Sequence, residues 1–315
     1  MLFYFGHHND AAYNIALERY FLTSNLPDLC FIYQNRPSVI CGQFQNINAE
    51  FNHNILFKNK VSLARRLSGG GTVYHDMGNL NYSFICNRRS GLNYYNVFNE
   101  IVTNVLREIG CRNVKVQLNN LFCEDYKISG TAQYKSKYKI LHHGTLLINS
   151  DLSFINDLLS NRSNYSSKAI KSVNAQIANI SSFINEISTT KIIKLFHMKL
   201  KKYFESSEEI SFIDIDESRV NKLVSYYGSN EWIYGNSPFY IYSNCKDLKN
   251  KVFLKVRNGK IIYTELLGLN SKFRNKLMLL GKYHNYATIF DEFSKHADLN
   301  SICIDKREII KLFFN

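Results

Sequence analysis

Residues Arg65-Arg66-Leu67-Ser68-Gly69-Gly70-Gly71-Thr72-Val73-Tyr74-His75-Asp76 constrain this chain more than any other stretch. Two adjacent guanidinium groups lead into three glycines, and strand-forming residues follow. Glycine has no Cβ, so the backbone here can approach a ligand closely and take positive φ at no steric cost. Successive free N–H groups in such a turn form an anion-binding nest, and arginine adds a planar fork that matches phosphate or carboxylate oxygens. The pattern predicts a pocket for a phosphorylated ligand. No Gly-Lys-Ser or Gly-Lys-Thr follows, so this is not a Walker loop, and the glycine spacing does not fit a dinucleotide fingerprint. Thr72 to Tyr74 favour strand, as does the run from Asn79 to Ile85. The loop therefore joins strands, and an antiparallel sheet is expected rather than a doubly wound parallel one.

The flanking chain supports a mixed architecture. Ala12, Ile15, Ala16 and Tyr20 fall at helical spacing, with Asn9 or Asp10 able to cap them. Leu29 to Tyr33 and Val39 to Gly42 read as strands broken at Arg36-Pro37. Val97, Ile101, Val105 and Ile109 predict a helix over 94–109 that ends at Gly110. Strands are expected at 114–118, 121–123, 128–134 and 140–148, then a mainly helical stretch from Asp151 to Tyr227. Turn chemistry at 229–247 marks a boundary, and Asn258-Gly259 between two apolar runs signals a hairpin. Helices are expected at 271–280, 286–297 and 305–314. Strands and helices without strict alternation predict an α+β fold, with a larger domain over 1–240 and a small αβ domain over 247–315.

A chain of 315 residues can bury a sizeable core. It has no apolar run long enough to span a bilayer, and its start lacks a basic segment and a cleavage site, so the expectation is a cytoplasmic protein. Seven cysteines, scattered and without Cys-x-x-Cys spacing, suit reduced buried thiols rather than disulfides or zinc. The net charge of +13 invites an anionic substrate, an acidic protein or a nucleic acid. No zinc finger, RNA-recognition signature or long basic run accompanies it.

A second cluster begins at Asp125-Tyr126-Lys127-Ile128-Ser129-Gly130-Thr131-Ala132, followed by His142-His143-Gly144-Thr145-Leu146-Leu147. Lys127 alone would read as a surface charge. Its small neighbours, and the first motif, make it a candidate for a ligand's anionic groups. The paired histidines lack a third ligand at metal spacing, so hydrogen-bonded structural roles are expected for them. His75-Asp76 lacks a nucleophile in an elbow pattern, which argues against a hydrolase triad.

Together these segments resemble the lipoate–protein ligase family. Its Arg-Arg-x-Ser-Gly-Gly-Gly-x-Val-x-His-Asp motif is met at 65–76, its Lys-x-Ser-Gly-x-Ala motif at 127–132 and its His-His-Gly-Thr-Leu-Leu motif at 142–147. Lys171-Ser172-Val173 through Asn179-Ile180 and Glu231-Trp232-Ile233-Tyr234-Gly235-Asn236-Ser237-Pro238 resemble two further elements, in the family's order. Asn174-Ala175 and Ile233-Tyr234 depart from its usual residues.

The resemblance implies a mixed, largely antiparallel sheet with flanking helices, shared with biotin ligases and class II synthetases. It implies attack of lipoate on ATP to give lipoyl-AMP, then transfer of the lipoyl group to a lysine of acceptor domains such as 2-oxoacid dehydrogenase subunits and the glycine cleavage H protein. Lys127 is then the catalytic residue. Arg66, Gly71, Thr72, Val73, Tyr74 and Lys127 would hold ATP; Lys127, Gly70, His75 and His143 would hold lipoate. Mg²⁺ is the implied cofactor, with Asp76 its one candidate ligand. The expected partners are lipoate and an acidic acceptor domain, with no nucleic acid or membrane, and the protein is expected to be a monomer. The competing readings are an ATP-independent lipoyl or octanoyl transferase using a cysteine thioester, with Cys123, Cys41 and Cys86 its candidate thiols, and a basic RNA-binding module on a synthetase-like fold. The absence of a Gly-Arg-Gly-Arg-type loop argues against a biotin ligase.

Overall fold

The computed structural model describes residues 1–159, 164–173, 175–184, 188–203, 215–245, 251–267, 278–295 and 306–314. In chain order the elements begin with β1 (Leu2–Phe5), α1 (Ala11–Thr23), β2 (Leu29–Tyr33), β3 (Ser38–Cys41) and α2 (His53–Lys58). Next come β4 (Ser62–Arg65), β5 (Val73–His75), β6 (Asn79–Asn87) and α3 (Tyr94–Glu108). Five strands follow: β7 (Val114–Gln117), β8 (Asn120–Cys123), β9 (Tyr126–Ser129), β10 (Thr131–Lys135) and β11 (Lys139–Leu147). Then come α4 (Leu152–Leu158), β12 (Tyr165–Ser167), α5 (Thr189–Tyr203), α6 (Glu217–Tyr227) and the single turn α7 (Asn230–Ile233). The described chain closes with β13 (Tyr240–Cys245), β14 (Lys251–Arg257), β15 (Lys260–Leu267), α8 (Tyr286–Ser294) and α9 (Lys306–Phe313).

Local chemistry sets these bounds. The Asp10 carboxylate accepts from the Tyr13 N–H at 2.9 Å and starts α1. Asn93 caps α3 in the same way, and Gly110 takes φ +113° just beyond its end. Asn258 and Gly259 both have positive φ, 51° and 71°, the geometry of a two-residue hairpin turn between β14 and β15.

The central sheet has the order β1-β2-β6-β11-β10. β1 pairs with β2 in parallel; every other pairing in it is antiparallel. This is the mixed, largely antiparallel α+β arrangement that the sequence predicts. Helix α1 packs on one face, where Leu29, Phe31, Ile85 and Leu141 are buried. Helices α3 and α5 pack on the other, where Tyr82, Phe84, Ile140 and Leu146 are buried. Two three-stranded sheets flank it: β4-β3-β5 carries the glycine loop between β4 and β5, and β7-β8-β9 carries Lys127. A four-stranded sheet, β12-β13-β14-β15, forms the C-terminal core with α8 and α9.

Three expectations need correction. The strand expected at 128–134 is broken at Gly130 into β9 and β10, because its two halves pair with different strands and belong to different sheets. The mainly helical stretch contains β12, and residues 168–173 after it are neither helix nor strand. The turn-rich stretch 229–247 holds α7 and β13. Most of the helix expected at 271–280 lies outside the described residues; residues 278–280 are not helical.

Candidate active site

Adjacent arginines do opposite work. Arg65 is fully buried and points away from the glycine loop. Its Nη1 donates to the carbonyls of Gly42, Gln43 and Gln45, its Nε to Ile233 O at 2.7 Å and its Nη2 to Ser237 Oγ at 2.9 Å. The Trp232 indole N–H returns a bond to Arg65 O at 2.7 Å. Arg65 thus ties the segment 232–237 to the turn after β3.

Arg66 curls into its own loop. Its Nη2 donates to Gly69 O and Gly71 O at 2.7 Å each, its Nη1 to Ile40 O and its Nε to Ser68 Oγ, both at 3.1 Å. Gly70, at φ +90°, brings the chain so close that a Cβ there would sit 3.0 Å from Arg66 Nη2. The guanidinium replaces water for the loop's carbonyls. Burial pushes the Arg66 pKa down to about 10, still charged at neutral pH.

From Arg66 a polar chain runs across the sheet. Ser68 Oγ lies 2.6 Å from His143 Nε2, and His143 Nδ1 lies 2.9 Å from Glu18 Oε1. Glu18 Oε1 also accepts from Ser83 Oγ at 2.5 Å and Tyr33 OH at 3.2 Å. Arg66 donates to Ser68, which lets Ser68 donate to Nε2 and places the imidazole proton on Nδ1, facing the carboxylate. His75 sits nearby, with Nδ1 accepting from Asn35 Nδ2 at 2.9 Å. Its proton is then on Nε2, which is buried and has no partner among the described residues. Burial, with Arg66 and His143 adding to it, lowers the His75 pKa to about 3, so the ring stays neutral.

Two cavities of about 390 and 400 Å³ share a wall made of Thr72, Val73, Lys127, Gly130, Thr145, Ser172 and Val173. The first reaches Glu18, Tyr33, Asn35, Arg66, Gly70, Gly71, His75, Asn81 and His143. The second reaches Glu50, Tyr74, Leu147, Ile155 and Ile177. Lys127 enters from β9, whose backbone is clamped by Lys127 N–H to Gln176 O and Ala178 N–H to Lys127 O. Burial first, and then Arg66, lowers the Lys127 pKa, and no described residue forms an ion pair with it. A half-buried ammonium without a counter-ion beside a second cation is arranged for an anion.

All the candidate residues but one therefore border one cavity or the other. The exception is Asp76. Its carboxylate accepts from Gly78 N–H and Ser150 Oγ at 2.8 Å each and from Asp151 N–H at 3.3 Å, and it lines neither cavity. It fixes the turn into β6. Among the described residues no three His, Cys, Asp or Glu side chains cluster as a metal site. His142 also departs from its neighbour. It faces the α3 side, its Nδ1 accepts from Gln133 Nε2 at 2.9 Å and its ring packs against Phe98. The expectation of hydrogen-bonded histidines holds for both rings. Among the described residues no cysteine lines either cavity; Cys30, Cys41, Cys86, Cys111 and Cys123 are buried, and burial raises the Cys41 thiol to about 11.

Glu18, Tyr33, Asn35, Asn81, Glu50 and Ser172 were not among the expected residues. Glu18 had a readable signal, a carboxylate three residues after Ile15 on the apolar stripe of α1.

A model of the lipoyl protein ligase A/B catalytic domain matches residues 10–201, which hold every strand of the central sheet except β1, with the glycine loop, Lys127 and both cavities. The chain belongs to that family. Lipoate–protein ligase 1 of Staphylococcus aureus is 33% identical over 319 residues, 96% of each chain. Lipoate-protein ligase LplJ of Bacillus subtilis is 31% identical over 301 residues, 90% of each. The crystal structure of LipL1 from P. falciparum in complex with lipoate superposes with a TM-score of 0.63 at 24% identity, over 98% of this chain and 96% of that one, and so shares the ligase fold.

Proposed function

We propose that this ligase-family member activates free lipoate with ATP and passes the lipoyl group to a lysine of an acceptor protein. The observation that carries the reading is the position of Lys127 on the wall between two cavities, within reach of a ligand in each. The first cavity suits lipoate: Gly70, His75 and His143 border it, with Lys127 at its mouth. The second suits the nucleotide, bordered by Thr72, Val73 and Tyr74. A carboxylate oxygen attacks the α-phosphorus, the bond to the bridging oxygen breaks, and pyrophosphate leaves. The Lys127 ammonium stabilises the negative charge gathering there, in a site where water no longer screens it. The acceptor amine then attacks the acyl carbon; AMP departs, and the amine loses its proton. Arg66 acts by shaping the loop, with Gly71 completing its turn.

Mg²⁺ would ride on the nucleotide phosphates, keep several waters and neutralise charge on them. No described residue is assigned to it. The net charge of +13 suits an acidic acceptor domain rather than nucleic acid. No described helix is long and apolar enough to cross a membrane, and we place the protein in the cytoplasm as a monomer. The activation chemistry belongs to residues 1–240, with 247–315 as an accessory domain.

Incubation of the purified protein with ATP and lipoate, without acceptor, tests the proposal. The expected result is stoichiometric pyrophosphate and lipoyl-AMP. Acyl transfer from a carrier protein with no ATP present would instead establish the transferase reading.

A further inference from the structure

Polar groups from three separate stretches meet where the two cavities join. Ser172 Oγ accepts from the Thr72 N–H at 2.8 Å and from Gln45 Nε2 at 3.2 Å, and it donates to Glu50 Oε2. The Ser172 N–H donates to the same oxygen at 3.3 Å. Gln45 Oε1 accepts in turn from Gly42 N–H at 2.9 Å and Thr72 Oγ1 at 2.8 Å. Glu50 is 3% exposed and forms no ion pair among the described residues. A buried carboxylate without a cation is expensive to keep, and the donors around it must offset its lost hydration. What the charge adds is grip, because a hydrogen bond to an ionised acceptor is about twice as strong as a neutral one.

Val173 is 89% exposed and Lys171 is exposed, yet Ser172 and Val173 border both cavities. On the other side, residues 176–178 are fixed by backbone bonds to the Lys127 strand. Residues 171–173 thus meet the glycine loop through Ser172, and residues 176–178 meet the Lys127 strand through its backbone.

We propose that Glu50 is a positioning residue which, through Ser172, holds residues 171–173 across the opening common to both cavities and so retains the acyl-adenylate until an acceptor lysine arrives. This rests on the activation chemistry proposed above. A mixed anhydride that escapes is lost to hydrolysis, so a ligase gains from a roof that opens slowly. Glu50 does its part through the roof and not on the reacting atoms.

The test is single-turnover activation with lipoate and labelled ATP, without acceptor, followed by rapid separation of free from bound lipoyl-AMP. Wild-type protein should keep its adenylate. Glu50→Ala and Ser172→Ala should release it roughly tenfold to hundredfold faster, the worth of one hydrogen bond to a charged group. Their KM for ATP should rise, and first-turnover pyrophosphate formation at saturating ATP should fall by a smaller factor than the release rate gains. Glu50→Gln, whose amide oxygen still accepts both bonds, should fall between. A merely structural role would change melting temperature without this split. Wild-type retention in folded Glu50→Ala overturns the positioning role alone, as does leakage from Glu50→Ala that Ser172→Ala does not share. If Glu50→Ala does not fold, Ser172→Ala and Glu50→Gln decide the matter by the same measurement. Wild-type protein that forms no adenylate overturns the activation chemistry, and this inference with it.

Discussion

His142 and His143 are neighbours on one strand, both buried, and they serve different halves of the molecule. Along β6 and β11 the even-numbered side chains Tyr82, Phe84, Ile140 and His142 enter the core under α3 and α5. The odd-numbered Asn81, Ser83 and His143 turn toward α1 and the first cavity. A period of two makes this division, and a slip of one residue would exchange core for cavity. The packed face is held by dispersion and apolar burial. The cavity face adds to its own apolar packing under α1 a polar chain from Glu18 to Arg66, which needs each partner in place. The lesson is that this sheet separates stability from chemistry by face.

The largest expected effect lies on the packed face. Phe84 is fully buried and stacks on Phe98 at 4.5 Å, so Phe84→Ala should destabilise the fold by about 3–5 kcal/mol. Urea unfolding measures this, and the fraction that stays folded should activate lipoate near the normal rate. A folded Phe84→Ala protein with a collapsed rate would break the division.

Next comes the cavity. Lys127→Ala should lose about 3–4 kcal/mol of transition-state stabilisation, roughly a 100- to 1000-fold drop in lipoyl-AMP formation, with a melting temperature close to wild type. Lys127→Arg should also be slow, since a flat guanidinium does not replace a compact ammonium. Near-normal single-turnover adenylation by Lys127→Ala would shift the burden to the glycine loop.

Smaller effects follow for the thiols. Cys123 is 2% exposed and lies on the packed side, 3.0 Å from the Cys111 sulfur. Cys123→Ser should cost roughly 1–3 kcal/mol of stability and leave the chemistry intact. A folded, inactive Cys123→Ser protein would revive a thioester mechanism.

The smallest effect is a slope. Burial lowers the pKa of His75 and His142 to about 3 and that of His284 to about 4. Below pH 6.5 the unfolded chain takes up protons that the folded chain refuses, so stability is full above that pH and falls as the medium is acidified toward 4. Each histidine contributes up to roughly 1.4 kcal/mol per pH unit. His142→Phe should flatten the acid limb of a pH–stability curve without altering adenylation at neutral pH. An unchanged limb would mean that the His142 ring accepts its proton in place.

Much of this was legible from local signals. Asp10, Asn93 and Gly110 mark helix ends through hydrogen bonds to near neighbours, and Asn258-Gly259 marks its hairpin through φ alone. The glycine loop announced a site because its residues act within a few positions of one another. What was hidden depends on distant partners. Nothing in the dipeptide tells that Arg65 faces Ser237 while Arg66 faces Gly71. Nothing near Asp76 in the sequence tells that Ser150, far along the chain, donates to it. Glu50 has no motif and gains its meaning from Ser172, far along the chain. The strand β12 is too short to show alternation, and its partner lies well downstream.

That last pairing makes the molecule less modular than its linear order suggests. Tyr165 is buried against Tyr240 and Tyr242, and its strand forms one edge of a sheet otherwise built from the chain's last third. A polypeptide severed just before β13 would keep Tyr165 and the unpaired edge of β12 with nothing to cover them, a template for self-association. The remainder would begin with a sheet stripped of its first strand. The C-terminal part is therefore stitched into the rest of the chain, and grafting it between relatives as a cassette would need the β12 stitch to travel with it.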